Sequence, residues 1–437
     1  MLAGLLILLI FLVLAGMMMT KRIPALLALP LMALLIGLVS GLAAGLPWTG
    51  ATADDPSFRK LMFDSILRDG TKRLSEAMMF AIFGAVLSQV VMRQGIAQRI
   101  VRVAAEYAGD RKLLLAFFMT AAMAGAFCSL TGLGAVVMVG SLALPILTGS
   151  GLSANFASCL MLFAVSLGGM FNASNWGVFK DVLKLSEDQI RPVAIGMGVL
   201  MALMVIVFLL VQGFRERRNF AWAALEAPPP QNVPLLSLLT PILPVLLILV
   251  VQWPVLPAFL VGILYGCLTT EPLRLIPNLT AAFLEGLKDV APVLGLFIGI
   301  GMTVTALSDD SARAIMGPLI KAVAPGRPAT YVLFFALLAP LALYRGPFNT
   351  YGLGAGFIAL LFDNGQGTLP ALAIMAAFMA VGQIQGTCDP TNTANVWIAS
   401  FTHTTTEKLL KMTIPFVWAF VLLALIYAVL GAGVMTR

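Results

Sequence analysis

The sequence predicts an all-α protein that crosses a membrane many times and is built from two copies of one unit. Three observations predict it. Of 437 residues, 60% are hydrophobic and only 11% are charged, with a mean hydropathy of +0.98; an average soluble domain carries about 25% charged residues. The apolar residues form unbroken runs, among them Leu2–Met19, Ile23–Leu46, Val193–Gln212 and Ile414–Val434. Such runs suit helices of roughly 20 residues across a ~30 Å hydrocarbon core, not the alternating strands of a barrel. Third, the same features recur in the same order on both sides of a polar, Pro-rich stretch from Arg215 to Gln231. Soluble enzymes, secreted disulfide scaffolds and disordered tails are excluded by this composition.

The net charge of +7 is ordinary for loops that face anionic headgroups and gives no reason to invoke nucleic acid. Cys128, Cys159, Cys267 and Cys388 lie in apolar surroundings without CxxC spacing and read as reduced thiols. One histidine, His403, leaves no His-rich metal site. The first run lacks a basic leader and a small-residue cleavage site, so it reads as a retained span. The expected location is a prokaryotic inner (plasma) membrane, with lipid as the surrounding partner.

The chain divides into a first repeat (1–213), a linker (214–235) and a second repeat (236–437). Each repeat opens with two spans, Leu2–Met19 and Ile23–Leu46 or Leu236–Val251 and Leu256–Cys267. A polar amphipathic connector and a third span follow, Glu76–Met92 or Val290–Leu307. Next comes a charged amphipathic stretch suited to the membrane interface, Gln94–Lys112 or Asp309–Arg327. An apolar stretch is then broken by a Gly-rich turn, Cys128–Ala135 or Phe348–Ala355, with Gly-Leu-Gly-Ala repeated 220 positions apart. A further span runs into a polar break, Phe171–Trp176 or Cys388–Thr393, in which Ser174 and Thr391 stand 217 positions apart. Capping-box patterns follow at Ser186/Gln189 and Thr404/Glu407, and one apolar span closes each repeat. Three spans, a re-entrant hairpin, a discontinuous helix and a final span make an odd number of crossings. An odd number turns the second copy upside down, giving inverted-topology repeats whose breaks meet near the midplane.

Backbone that leaves the helix within hydrocarbon is tolerated only where protein or a wet cavity replaces its hydrogen bonds. Two hairpin tips and two breaks are such places. Helix N-termini there attract an anion, and helix C-terminal carbonyls can hold a small cation. The candidate substrate-binding residues are Ser129, Thr131, Ser174, Asn175, Arg345, Asn349, Thr350, Thr391, Asn392 and Thr393. Candidate Na⁺ ligands are Ser129, Thr131, Gly132, Asn172, Asn175, Asn349, Gly352, Asp389 and Asn392, each tip facing the break of its own half. Tyr351 belongs to the second of these two half-sites. Gly132, Gly134, Gly352 and Gly354 would let the tips turn tightly and approach a ligand. The bland alternative is that Gly, Ser and Thr merely let helices pack closely.

Arg345 is a cation beside an apolar run, at a position where the first half has Gly125. It suits bidentate recognition of a carboxylate, or else pairs with Asp389 or reaches the interface. Arg345→Ala is expected to abolish anion binding while the protein still inserts and folds; wild-type affinity by ligand-induced thermal shift would remove it from the site. Asp389 can ligate a cation, carry a proton or cap the resumed helix. His403 reads as a loop residue, and Trp176 and Trp397 read as packing groups.

These paired tips and Asn breaks resemble the ion transporter superfamily, which includes the divalent anion:sodium symporters and the citrate and C4-dicarboxylate carriers. Thr391–Asn392–Thr393 is similar to that family's Ser-Asn-Thr signature, whereas Ser174–Asn175–Trp176 replaces its last residue by Trp. The resemblance implies an elevator-type transporter and a homodimer. It implies a moving domain (about 113–213 and 328–437), a scaffold (about 1–93 and 236–307) and arm helices (about 94–112 and 309–327). The function it implies is import of a small organic anion, a carboxylate such as a di- or tricarboxylate, by symport with Na⁺ and with no other cofactor. The alternative is a proton-coupled carrier or cation/proton antiporter using Asp389. No Walker-type phosphate loop occurs, which disfavours ATP-driven pumping, and no midplane cluster of carboxylates or histidines suggests an enzyme.

Overall fold

The computed structural model describes residues 2–20, 22–50, 52, 55–108, 111–215, 233–362 and 369–435. The predicted linker falls largely outside them. Among the described residues every regular element is helical. The first half runs α1 (Leu2–Met19), α2 (Ala25–Ala43) and a π-helical segment, Lys60–Asp69, that continues through α3 (Gly70–Lys72) into α4 (Ser75–Arg93). Then follow α5 (Ile96–Ala108), α6 (Lys112–Phe127), α7 (Leu133–Gly149), α8 (Ala154–Gly169), α9 (Ala173–Leu183) and α10 (Glu187–Arg215). The second half opens with a 3₁₀ turn, Leu235–Leu239, and continues with α11 (Leu243–Leu249), α12 (Val255–Thr270), α13 (Leu275–Ser308) and α14 (Asp310–Val323). It ends with α15 (Pro328–Leu338), α16 (Ala355–Leu361), α17 (Ala371–Cys388), α18 (Thr393–Phe401) and α19 (Thr406–Leu430). Between α15 and α16 lie a 3₁₀ stretch, Ala339–Arg345, and a π-helical turn, Thr350–Gly354.

Six helical segments among the described residues are long and apolar enough to cross a membrane, and α8 with α9 forms a further pair bent by 47°. Their outer faces keep large apolar side chains exposed, such as Val199, Leu203 and Leu210 on α10, while Met197, Met201 and Phe208 of the same helix are buried. In water that exposure would be unfavourable; against lipid it is not. The protein is an integral membrane protein.

Most predicted boundaries hold to within a few residues, but α13, α19 and α10 begin 15, 8 and 6 residues before the predicted Val290, Ile414 and Val193. The run Leu236–Val251 does not form one helix: it splits into the 3₁₀ turn and α11, because Pro241 and Pro244 cannot donate within a helix. Ser186 precedes α10 as expected, with Gln189 Oε1 accepting from its backbone N–H at 2.9 Å. The cap of α19 is shifted by one residue: Thr405, not Thr404, accepts from Lys408 N–H at 3.3 Å.

The helices form two groups. In one, α13 lies along α2 and α4, with α12 on α4. Small residues set that packing, as is usual between membrane helices. A Cβ on Gly286 would fall 2.9 Å from the Val86 nitrogen, and one on Gly299 would fall 2.9 Å from Pro30 Cδ. Thr303 Oγ1 donates to Leu29 O at 2.9 Å across the same interface. In the other group α17 lies on α19 and α8, and α8 lies on α6. The groups meet where α9 leans on α4 and α16 on α13.

Candidate functional site

Between the two groups lies a cavity of about 810 Å³. One wall is apolar and comes from α2 and α13, including Pro24, Leu26, Val293 and Phe297. The other is formed by both hairpin tips and both breaks: Thr131 and Gly132, Asn172 with Ser174 to Trp176, Asn349 to Tyr351, and Asp389 with Thr391 to Ala394. Four of the polar elements singled out in the sequence therefore converge on one space.

The first break is built around Asn172. Its Oδ1 accepts from Ser174 N–H at 3.1 Å and caps α9. Its amide donates to Phe127 O (3.2 Å) and Leu130 O (3.1 Å), the carbonyls left over where α6 ends at the first tip. One side chain thus joins the break to the hairpin of its own half. Asn175 Nδ2 donates to Gly169 O at 2.6 Å, and Trp176 Nε1 to Met170 O at 2.9 Å, so the carbonyls at the end of α8 are also met. Trp176 is buried and also lines the cavity.

The second break is longer. Asn392, not Asp389, caps α18, its Oδ1 accepting from Ala394 N–H at 3.0 Å. Asn392 Nδ2 donates to Gln385 O at 3.3 Å, which parallels the reach of Asn175 back to Gly169. Asp389 has a different task. Its Oδ1 accepts from Thr391 N–H (2.8 Å), Thr391 Oγ1 (2.7 Å) and Tyr344 N–H (3.1 Å), so it fastens the break to the second hairpin. Tyr344 has φ 55°, a left-handed conformation costly for a bulky residue, held here by that hydrogen bond. The carboxylate is buried at 1% exposure.

The expected pairing of each tip with its own break holds only in part. The first tip meets Asn172 of its own half, and Thr350 N–H donates to Gln385 Oε1 at 3.1 Å in the second. Tyr351 crosses over: its hydroxyl donates to Asn175 Oδ1 of the first half, and its ring lies 6.0 Å from that of Phe297. Tyr351→Phe keeps the ring contact and removes the donor. It is expected to cost about 1 kcal/mol of stability and to weaken ligand binding severalfold; thermal unfolding and ligand titration of the purified protein check this.

Ser129 is not brought into the cavity. Its hydroxyl donates to Pro241 O at 2.6 Å, because the tip lies against the turn before α11. Gly132 has φ +90°, open only to glycine without strain. Gly134 and Gly354 do not line the cavity; they permit close contacts instead, Gly134 with Asp289 and Gly354 with Asn349 O. Gly352 falls in the π-helical turn, and the side chain of Arg345 lies outside the described residues.

Sequence reasoning missed Ser166, Gln383 and Gln385, all lining the cavity. Ser166 Oγ donates to Gln383 Oε1 at 2.5 Å across a separation of 217 residues, the same offset as Ser174 and Thr391. That shared offset was the available signal. Three residues that line the cavity each carry a buried polar atom without a partner among the described residues: Thr131 Oγ1, which lies against Gly84 of α4, Ser174 Oγ and Asn349 Oδ1. Buried polar atoms are seldom left so.

No family model matches the sequence, and no curated protein matches it. Among solved structures the chain is similar to the YdaH transporter of Alcanivorax borkumensis, whose topology is described as unusual (TM-score 0.61, 17% identity, 93% of this chain and 98% of that one). It is also similar to MtrF of Neisseria gonorrhoeae, assigned to a class of antimetabolite efflux pumps (TM-score 0.52, 13% identity, 91% and 93%). At these identities the shared property is the fold, a fold used by transporters.

Proposed function

We propose that the protein is a secondary active transporter that imports a small organic anion, a di- or tricarboxylate, together with Na⁺. The observation that carries this reading is the cavity into which the first turns of α7, α9 and α18 all open. Their dipoles, and the N–H groups that the Asn172 and Asn392 caps leave free, favour an anion. Neutral oxygens and amides surround it, and the lining residues Thr131, Ser174 and Asn349 each hold a polar atom that no group among the described residues satisfies. Asp389 supplies the carboxylate in the described part of the lining, which suits a coupling cation beside an anionic substrate.

The equal order of elements in the two halves supports inverted repeats. So does the Ser166–Gln383 bond between equivalent positions, since a pseudo-two-fold axis brings such residues together. On this reading the group with α6, α8, α10, α17 and α19 moves as a domain against the group with α2, α4, α12 and α13, in a homodimer. The test is uptake of radiolabelled succinate and citrate into proteoliposomes under an inward Na⁺ gradient. Uptake above equilibrium is expected with Na⁺ and its loss with choline at fixed pH. Undiminished uptake in choline would reject Na⁺ coupling.

A second reading is proton-coupled export. Two observations favour it: Asp389 is buried beside the cavity, and a protein of similar fold is an efflux pump. A pH gradient that drives transport without Na⁺ would select it.

A further inference from the structure

The first hairpin tip touches the α2/α4/α13 group at a point outside the cavity lining, and that contact involves a charge. A Cβ on Gly134 would lie 2.7 Å from Oδ2 of Asp289 on α13, so glycine alone lets the carboxylate come this close. Gly134 is in the first turn of α7, where backbone N–H groups have no intrahelical partner and a negative charge is favoured. Gln89 on α4 donates its Nε2 to the same Oδ2 at 2.5 Å and fixes its direction. Two small-residue contacts flank this point. Gly84 of α4 leaves room for Thr131, whose Oγ1 would be 3.0 Å from a Cβ there, and Ser129 holds Pro241 O.

The second half has no such contact. Gly354, the residue equivalent to Gly134, lies against its own tip, a Cβ there falling 2.6 Å from Asn349 O. The charged contact is therefore a feature of one tip and not of the duplicated scaffold.

We propose that Asp289, oriented by Gln89, is a positioning residue that holds the first hairpin tip against the scaffold helices and must release it before the cavity opens past that tip. This rests on the transporter reading above, but its test needs no transport. Cys128 caps α6 at the base of the same tip and is partly buried, while Cys159, Cys267 and Cys388 are fully buried. Cys128 is thus a built-in reporter of tip opening, and Cys128→Ser identifies its signal.

The rate of maleimide labelling of Cys128 is measured on purified full-length protein without substrate or ion gradient. Asp289→Asn is expected to raise it about three- to tenfold, the size of a lost charge–dipole contact. Asp289→Glu should leave it within twofold, and Gly134→Ala should raise it like Asp289→Asn. Labelling of Asp289→Asn at the wild-type rate overturns the proposal. If that variant is not monodisperse, Gln89→Leu replaces it, with a rise expected and an unchanged rate overturning. A protein that labels as expected but transports nothing would refute the transport reading and leave the tip contact standing.

Discussion

Asn172→Ala is expected to destabilise the detergent-solubilised protein by about 3–7 kcal/mol and to abolish ligand binding. The estimate follows from what the side chain does. Replacing an N-cap costs about 1 kcal/mol, and each lost hydrogen bond to a buried carbonyl costs about 1–3 kcal/mol when the partner is left unsatisfied. Asn172 makes one bond of the first kind and two of the second, to Phe127 O and Leu130 O. At 5% exposure, water cannot readily replace them. Two of these bonds join break and hairpin, so their loss uncouples the elements that shape the cavity. Denaturant unfolding together with ligand-induced thermal shift measures both effects; a loss under 1 kcal/mol with binding intact would contradict the account. Asn172→Asp should be intermediate, because it keeps the cap and removes both donors.

Asp389→Asn is expected to do the opposite: leave the fold largely intact and remove ion dependence. The Asn Oδ1 can still accept from Thr391 N–H, Thr391 Oγ1 and Tyr344 N–H, so the backbone of the break keeps its anchor. What disappears is a buried charge. Half-maximal Na⁺ for stabilisation or uptake should rise at least about tenfold, equivalent to about 1.4 kcal/mol. Unchanged Na⁺ dependence would take Asp389 out of the cation site. Loss of pH-driven transport in the same variant would instead support the proton-coupled reading.

The two variants also mark how far the site could be read in advance. Asn172 and Asp389 occupy equivalent places in the two breaks, and both were visible as polar residues interrupting apolar runs. Their division of labour was not visible. Asn172 caps its helix directly, while the second helix resumes three residues later at Asn392 and leaves Asp389 to bind the other hairpin. A cap depends on where the chain re-enters helical dihedrals, which residue type alone leaves open. Tyr351 illustrates a second gap. Its place at the tip follows from the repeat, but its bond to Asn175 joins opposite halves, and no offset announces that. Ser129 shows the reverse error: a polar residue at a Gly-rich tip that looks like a ligand is used up by a carbonyl of a neighbouring turn.

The amino-acid order by itself determined the membrane class, the order of helices in both halves, and the positions at which helices must break. These are local consequences of apolar run length, of proline and of glycine, and each is complete within some 20 residues. Tertiary structure alone decided which tip meets which break, which hydroxyls stay unpartnered beside the cavity, and that Asp289 approaches Gly134. Those depend on distances between helices far apart in the chain, set by how small residues let α13 settle on α2 and α4.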